Sequence, residues 1–151
     1  MSEARSASSD SPQPENGEDV HSWYTRGMEL LGRGSAAAAA QLLQRAANAE
    51  PGSRSVREGL ARAQFDTGRY AEAAANFRVN VEASPADDYA HFGLGLALAR
   101  AGQHEDAAQY LALAVAMRPD ASHYTRALHQ VRATLRAREN AREQSRETRP
   151  E

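Results

Sequence analysis

GRYAEAAANFRVNVEASP, residues 68–85, sets the register for most of the chain. Its skeleton stands 34 residues earlier in GSAAAAAQLLQRAANAEP (34–51) and 34 residues later in GQHEDAAQYLALAVAMRP (102–119). Gly34, Gly68 and Gly102 open the three stretches, and Pro51, Pro85 and Pro119 close them. Between them Ala39, Ala73 and Ala107, then Leu43, Phe77 and Leu111, hold matching places. Four markers of different chemistry in one register identify an internal repeat.

Each marker has a physical reading. A glycine can turn left-handed without a Cβ penalty, so each one is expected to end a first helix. A proline lacks the amide hydrogen and restricts the residue before it, so each one follows the end of a second helix. Between these stops the apolar residues fall at helical spacing, as in Leu94, Leu98 and Ala101, or Ala107, Leu111, Ala114 and Val115. Small residues Gly27, Ala61 and Gly95 in the first helices face the small series in the second, which lets antiparallel helices approach closely. The fold expected is all-α, a solenoid of helical hairpins with about seven antiparallel helices. Repeats are placed at about 20–53, 54–87 and 88–121. A capping helix follows at about 121–140, with Tyr124, Leu128, Val131 and Leu135 as its apolar seam.

These residues resemble the tetratricopeptide repeat, whose pattern is W-x2-L-G-x2-Y, then A-x3-F, then P. The first repeat offers Trp23, Gly27, Leu30, Ala39, Leu43 and Pro51, with Arg26 where Leu is usual. The second offers Leu60, Ala61, Tyr70, Ala73, Phe77 and Pro85, with Asn80 where Ala is usual. The third offers Leu94, Gly95, Ala107, Leu111, Ala114 and Pro119, with His91 and His104 at places that favour aromatics. The resemblance covers roughly residues 20–121. It implies a fold, and it leaves the partner open because such arrays serve many partners.

Around the repeats the composition shifts. Residues 1–18 are rich in Ser, Pro, Glu and Gly and are expected to form a disordered acidic leader. The repeat domain is placed at 19–143 and a disordered tail at 144–151. All 18 basic residues are Arg, which together with the heavy use of Ala reads as the coding bias of a GC-rich, bacterial genome. Net charge is −2, so nothing global demands nucleic acid or a membrane surface. Cysteine is absent, which removes disulfides, thiol catalysis and thiolate metal sites. No apolar run approaches the ~18 residues of a membrane span, and the protein is expected to be soluble and cytoplasmic.

Little in the sequence points to catalysis, cofactor or metal chemistry. The five histidines (His21, His91, His104, His123, His129) show no i, i+4 pair. The acidic pairs Asp87-Asp88 and Glu105-Asp106 lie at expected helix starts, where carboxylates complement the helix dipole. The chain therefore reads as a non-enzyme that holds another protein. In the resembling family the first helices line an inner groove. Carried over, this implies a peptide site of Tyr24, Met28, Leu31, Glu58, Arg62, Phe65, Tyr89, Phe92, Leu96 and Arg100, with Arg126 added by the capping helix. Chaperone-binding members grip a terminal carboxylate with Lys, Arg and Asn. The matching places here hold Tyr24, Met28, Gly59, Tyr89 and Gly93, which argues against that ligand.

The Arg-rich end supplies the alternative. Arg138, Arg142 and Arg146 alternate with Glu139, Glu143 and Glu147. An RNA- or ribosome-associated factor would use such a strip, but the interleaved glutamates weaken phosphate binding and no aromatic is present for base stacking. Self-association, with the groove accepting another copy, is the remaining alternative.

Overall fold

The computed structural model describes residues 12–150, the side chains of 12–18 excepted. Seven helices follow one another among these residues. They are α1 (Pro12–Gly32), α2 (Ala36–Ala49), α3 (Arg54–Asp66), α4 (Tyr70–Ala83), α5 (Asp88–Arg100), α6 (His104–Met117) and α7 (Ser122–Glu147). The chain divides into two compact units, one ending at Thr67 and the other beginning at Gly68. The expected all-α hairpin architecture is the one observed.

The helix stops lie where the repeat markers place them. Gly34, Gly68 and Gly102 have φ of 85°, 82° and 89°, all left-handed. At the first of these the Ser35 amide donates to Leu30 O (2.8 Å) and the Gly34 amide to Leu31 O (3.0 Å). The same pair recurs from Gln103 to Leu98 O (2.8 Å) and from Gly102 to Ala99 O (3.0 Å), so the last carbonyls of α1 and α5 are satisfied by a Schellman closure. Second helices end two residues before Pro51, Pro85 and Pro119.

In the first unit α1, α2 and α3 pack on one another around Leu31, Ala39, Ala40, Leu43, Val56 and Leu60. In the second unit α5 packs against α4, α6 and α7, with Phe77, Leu94, Leu98, Leu111, Tyr124, Leu128 and Val131 buried. Close approach depends on missing side chains. A Cβ at Gly95 would lie 2.6 Å from Leu111 Cγ, and one at Gly27 would lie 2.8 Å from Leu43 Cγ. His91 is buried and its Nδ1–H donates to the Asp87 carbonyl oxygen (2.8 Å), so an imidazole replaces the usual aromatic by satisfying its polar edge locally.

Two boundaries differ from those expected. Helix α1 starts at Pro12, within the stretch expected to be a disordered leader, while residues 1–11 of that stretch lie outside the described residues. Helix α7 runs past 140 to Glu147, into the stretch expected to be a disordered tail. From Arg136 onward its residues are all exposed. Its i, i+3 Glu–Arg spacings and good helix formers favour this helix without burial.

Candidate functional site

In the first unit the candidate residues belong to α1 and α3. Tyr24 is half-buried and lines an open hollow of about 260 Å³ with Val20, His21, Glu50, Ser53, Ser55 and Val56. Met28 is also half-buried, with its sulfur over Gly59, where a Cβ would meet Sδ at 2.8 Å. Leu31 needs a correction. At 7% exposure it belongs to the core of this unit and presents no surface to a ligand. It lies on α1, in a cluster it shares with buried residues of α2 and α3. Glu58, Arg62 and Phe65, at i, i+4 and i+7, share one face of α3, and all three are half-buried.

In the second unit an aromatic ladder runs between α4, α5 and α7. Tyr89 meets Phe77 edge-on (6.2 Å, 71°) and lies 6.2 Å from Phe92. Phe92 stacks on Tyr124 (4.5 Å, 24°) and meets His123 edge-on (5.2 Å, 85°). The Tyr124 hydroxyl donates to Asp88 Oδ2 at 2.6 Å, and Arg118 Nη1 lies 3.7 Å from the same oxygen. Burial and this hydrogen bond raise the Tyr124 hydroxyl well above the usual tyrosine range. Tyr89 and Phe92, which the sequence offers as ligand contacts, are half-buried here; Phe92 packs on α7, and Tyr89 lies between Phe77 and Phe92.

The surface left open lies one turn further along. Leu96, Ala99 and Arg100 of α5, His104 of α6, and Ala127, Gln130, Val131 and Thr134 of α7 line a cleft of about 180 Å³. Leu96, Ala99, Ala127 and Val131 supply its apolar surface, while Arg100, His104, Gln130 and Thr134 supply the polar one. Arg100 Nη1 also donates to the Tyr70 hydroxyl (3.3 Å) and its guanidinium sits 5.8 Å from that ring, which steadies the head group. Arg126 is exposed on α7, one turn before Gln130.

Of the residues read from sequence, the cleft thus contains Leu96 and Arg100. Sequence reading missed Ala99, His104, Ala127, Gln130 and Thr134, and used Val131 only as a seam residue. The i, i+3, i+4, i+7 spacing of 127, 130, 131 and 134 was visible, but pairing it with α5 requires the crossing of the two helices.

Gly59 and Gly93 are closed from behind, Gly59 by Met28 and Gly93 by Phe77, whose ring atoms would lie 2.5–2.8 Å from an added Cβ. Neither place can carry an Asn or Lys without displacing a packed side chain. Among the described residues there is no group of three or more His, Asp or Glu that could hold a metal ion. No helix among them is long and apolar enough to cross a membrane.

Two tetratricopeptide repeat family models match the chain, one over residues 30–76 and the other over 77–122. The chain belongs to the tetratricopeptide repeat family. No curated protein matches it in sequence. Solved structures do match in fold. MamA (residues 41 to the end) from Desulfovibrio magneticus is 22% identical with a TM-score of 0.75, over 82% of this chain and 70% of that one. The first tetratricopeptide domain of Spaghetti (RPAP3), bound to an HSP90 peptide, is 17% identical with a TM-score of 0.72, over 78% and 94%. The second such domain of human RPAP3, in complex with an HSP70 peptide, is 17% identical with a TM-score of 0.71, over 78% and 98%. At these identities the likeness is one of fold.

Proposed function

We propose that the protein is an interaction module, without catalytic activity of its own, that holds a peptide or helix of a cytoplasmic partner on its first-helix faces. In the first unit Tyr24, Met28, Glu58, Arg62 and Phe65 form the proposed contact face. In the second unit Leu96, Arg100 and Arg126 do so, framed by Tyr89 and Phe92. The observation that carries this reading is the α5–α7 cleft, with its apolar surface and polar edge. At about 180 Å³ it is smaller than the roughly 300–1,000 Å³ of small-molecule sites. A single aliphatic side chain of a peptide is the better match, with the polar groups left to meet the flanking backbone and side chains. Relatives of the same fold bind HSP90 and HSP70 peptides, which supports a peptide-holding role. The filled places at Gly59 and Gly93 argue against the same carboxylate clamp.

The test is selection of a random-peptide display library on the full chain, followed by fluorescence anisotropy with an enriched peptide. Leu96→Arg, shown by circular dichroism to keep its helicity, should weaken binding at least about tenfold, the equivalent of about 1.4 kcal/mol. Leu96 suits this better than Met28 or Phe92, because those two pack against Gly59 and Tyr124. Failure of any peptide to enrich, or equal binding by Leu96→Arg, would overturn the reading.

A further inference from the structure

On the two helices that flank the α5–α7 cleft, arginines outnumber carboxylates. Among the described residues that line this cleft, Arg100 is the only permanently ionised one and none is a carboxylate, while the exposed Glu105 and Asp106 follow His104 on α6. On α7 the stretch 122–138 carries Arg126, Arg132, Arg136 and Arg138 and no acid; Glu139 is the first. On α5 the one acid is Asp88, already engaged by the Tyr124 hydroxyl and Arg118. Arg126 stands one turn before Gln130, and Arg138 one turn after Thr134. Both arginines are therefore helix-surface neighbours of cleft-lining residues. Both are exposed. An apolar hollow is thus bracketed by arginines: Arg100 on α5, and Arg126 and Arg138 at either end along α7.

We infer that the cleft selects an acidic peptide segment, with one aliphatic side chain seated on Leu96, Ala99, Ala127 and Val131 and carboxylates on both sides of it. This rests on the peptide-holding reading proposed above and narrows it to one chemical class. Arg126 and Arg138 are about 18 Å apart along the helix axis at 1.5 Å per residue. An extended segment covers that distance in about six residues, so a peptide of this length engages both arginines at once. These carboxylates are internal side chains of the ligand. They meet the guanidinium of Arg100 and the arginines on the flank of α7.

Two other occupants of a basic surface fit less well. RNA would need a stacking platform, and none of the eight lining residues carries a Phe, Tyr or Trp ring. The chain's own N-terminal stretch has acids, but residues 2–11 contain no aliphatic side chain larger than alanine.

The probes are three fluorescein-labelled peptides of about nine residues, matched to the span above. One has a central leucine flanked by glutamates; the second replaces the glutamates by lysines; the third keeps the glutamates and replaces the leucine by serine. A single-stranded RNA of similar charge is the fourth probe. Anisotropy with the full chain should show the Glu/Leu peptide binding at least about tenfold more tightly than the other three, weakening as salt rises. The doubly reversed Arg126→Glu, Arg138→Glu variant should lose that preference and favour the lysine peptide. Equal binding of the glutamate and lysine peptides overturns the inference, as does tighter binding of the RNA. If library-selected peptides bind and depend on Leu96 but carry no acids, the acidic class falls while the peptide-holding reading stands. If no peptide of any kind binds, both fall.

Discussion

Gly95→Ala isolates the packing logic of the repeat. In an open helix interior this change stabilises by roughly 0.8–1.0 kcal/mol, because alanine loses less backbone freedom on folding. At residue 95 the new methyl would lie 2.6 Å from Leu111 Cγ, 2.8 Å from Leu111 Cδ2 and 3.2 Å from the Ala107 carbonyl oxygen. Leu111 is 0% exposed and cannot swing outward, and a backbone oxygen cannot rotate away. Helices α5 and α6 must therefore separate. Such overpacking costs about 1–3 kcal/mol. The balance is a net loss on the order of 1 kcal/mol, or about 2–4 °C in Tm for a chain of this size. Gly32→Ala is the control. It has nothing within 4 Å of its added Cβ and closes α1, so it should be neutral to stabilising by up to about 1 kcal/mol. A double-mutant cycle sharpens the test. Leu111→Ala alone should cost about 2–5 kcal/mol through the cavity it leaves. In the Gly95→Ala background the new methyl partly fills that cavity, so the combined loss should fall short of the sum by about 1 kcal/mol or more. Urea unfolding followed by far-ultraviolet circular dichroism measures all four proteins. If Gly95→Ala unfolds at or above the wild-type midpoint, or the two changes simply add, the close approach does not control this interface.

Two further outcomes follow from the polar contacts. Tyr124→Phe keeps the ring on Phe92 but removes the 2.6 Å bond to Asp88. Loss of a hydrogen bond to a charged group should cost about 1.5–3 kcal/mol. Because the Tyr124 hydroxyl is held above its ordinary value, its contribution is complete below about pH 10, the unfolded value, and declines as pH rises beyond it. The Tm gap between wild type and Tyr124→Phe should therefore be constant up to about pH 10 and narrow as pH rises beyond it; a gap that stays constant above about pH 10 would refute the linkage. Asp87→Ala, which removes the cap accepting from the Ala90 amide (3.0 Å), should cost about 0.5–2 kcal/mol. Ser35 caps α2 without a side-chain bond, so Ser35→Ala should be near neutral in the same thermal melt. Equal losses would show that the cap geometry is not what matters.

The fold was legible because its determinants are local and recur. A left-handed glycine, a proline stop and a small residue at a helix crossing each leave a mark at one position, and here the marks repeat three times. The site was only partly legible because exposure depends on neighbours far along the chain. Leu31, Phe65 and Ala99 share one register place. Leu31 is core, Phe65 is half-buried, and Ala99 lines a cleft. Position on a first helix was therefore a poor guide to accessibility. Phe92 shows the same limit. Its spacing marks the inner face, yet Tyr124 from α7 stacks on it, and nothing local announces that pairing.

This contrast also indicates where specificity resides. Places that keep their chemistry through the three hairpins close turns or fill the helix crossings: Gly34, Gly68 and Gly102 are left-handed, and Ala39, Ala73 and Ala107 have no exposed surface. Such places cannot distinguish one ligand from another. Among the places that vary, Met28, Arg62 and Leu96, at one register position, are half-buried, and Gly32, Asp66 and Arg100, at another, are exposed. A solenoid is held together by nearest-neighbour interfaces, so the variable inner positions change with little effect on the stack. Helix α7 extends the argument, because it lies outside the repeat. It owes the array only the buried seam of Tyr124, Leu128 and Val131. Its remaining face carries Arg126 and Arg138 beside the cleft. Reversing those two charges should therefore change which peptide binds while leaving the unfolding free energy within about 0.5 kcal/mol of wild type.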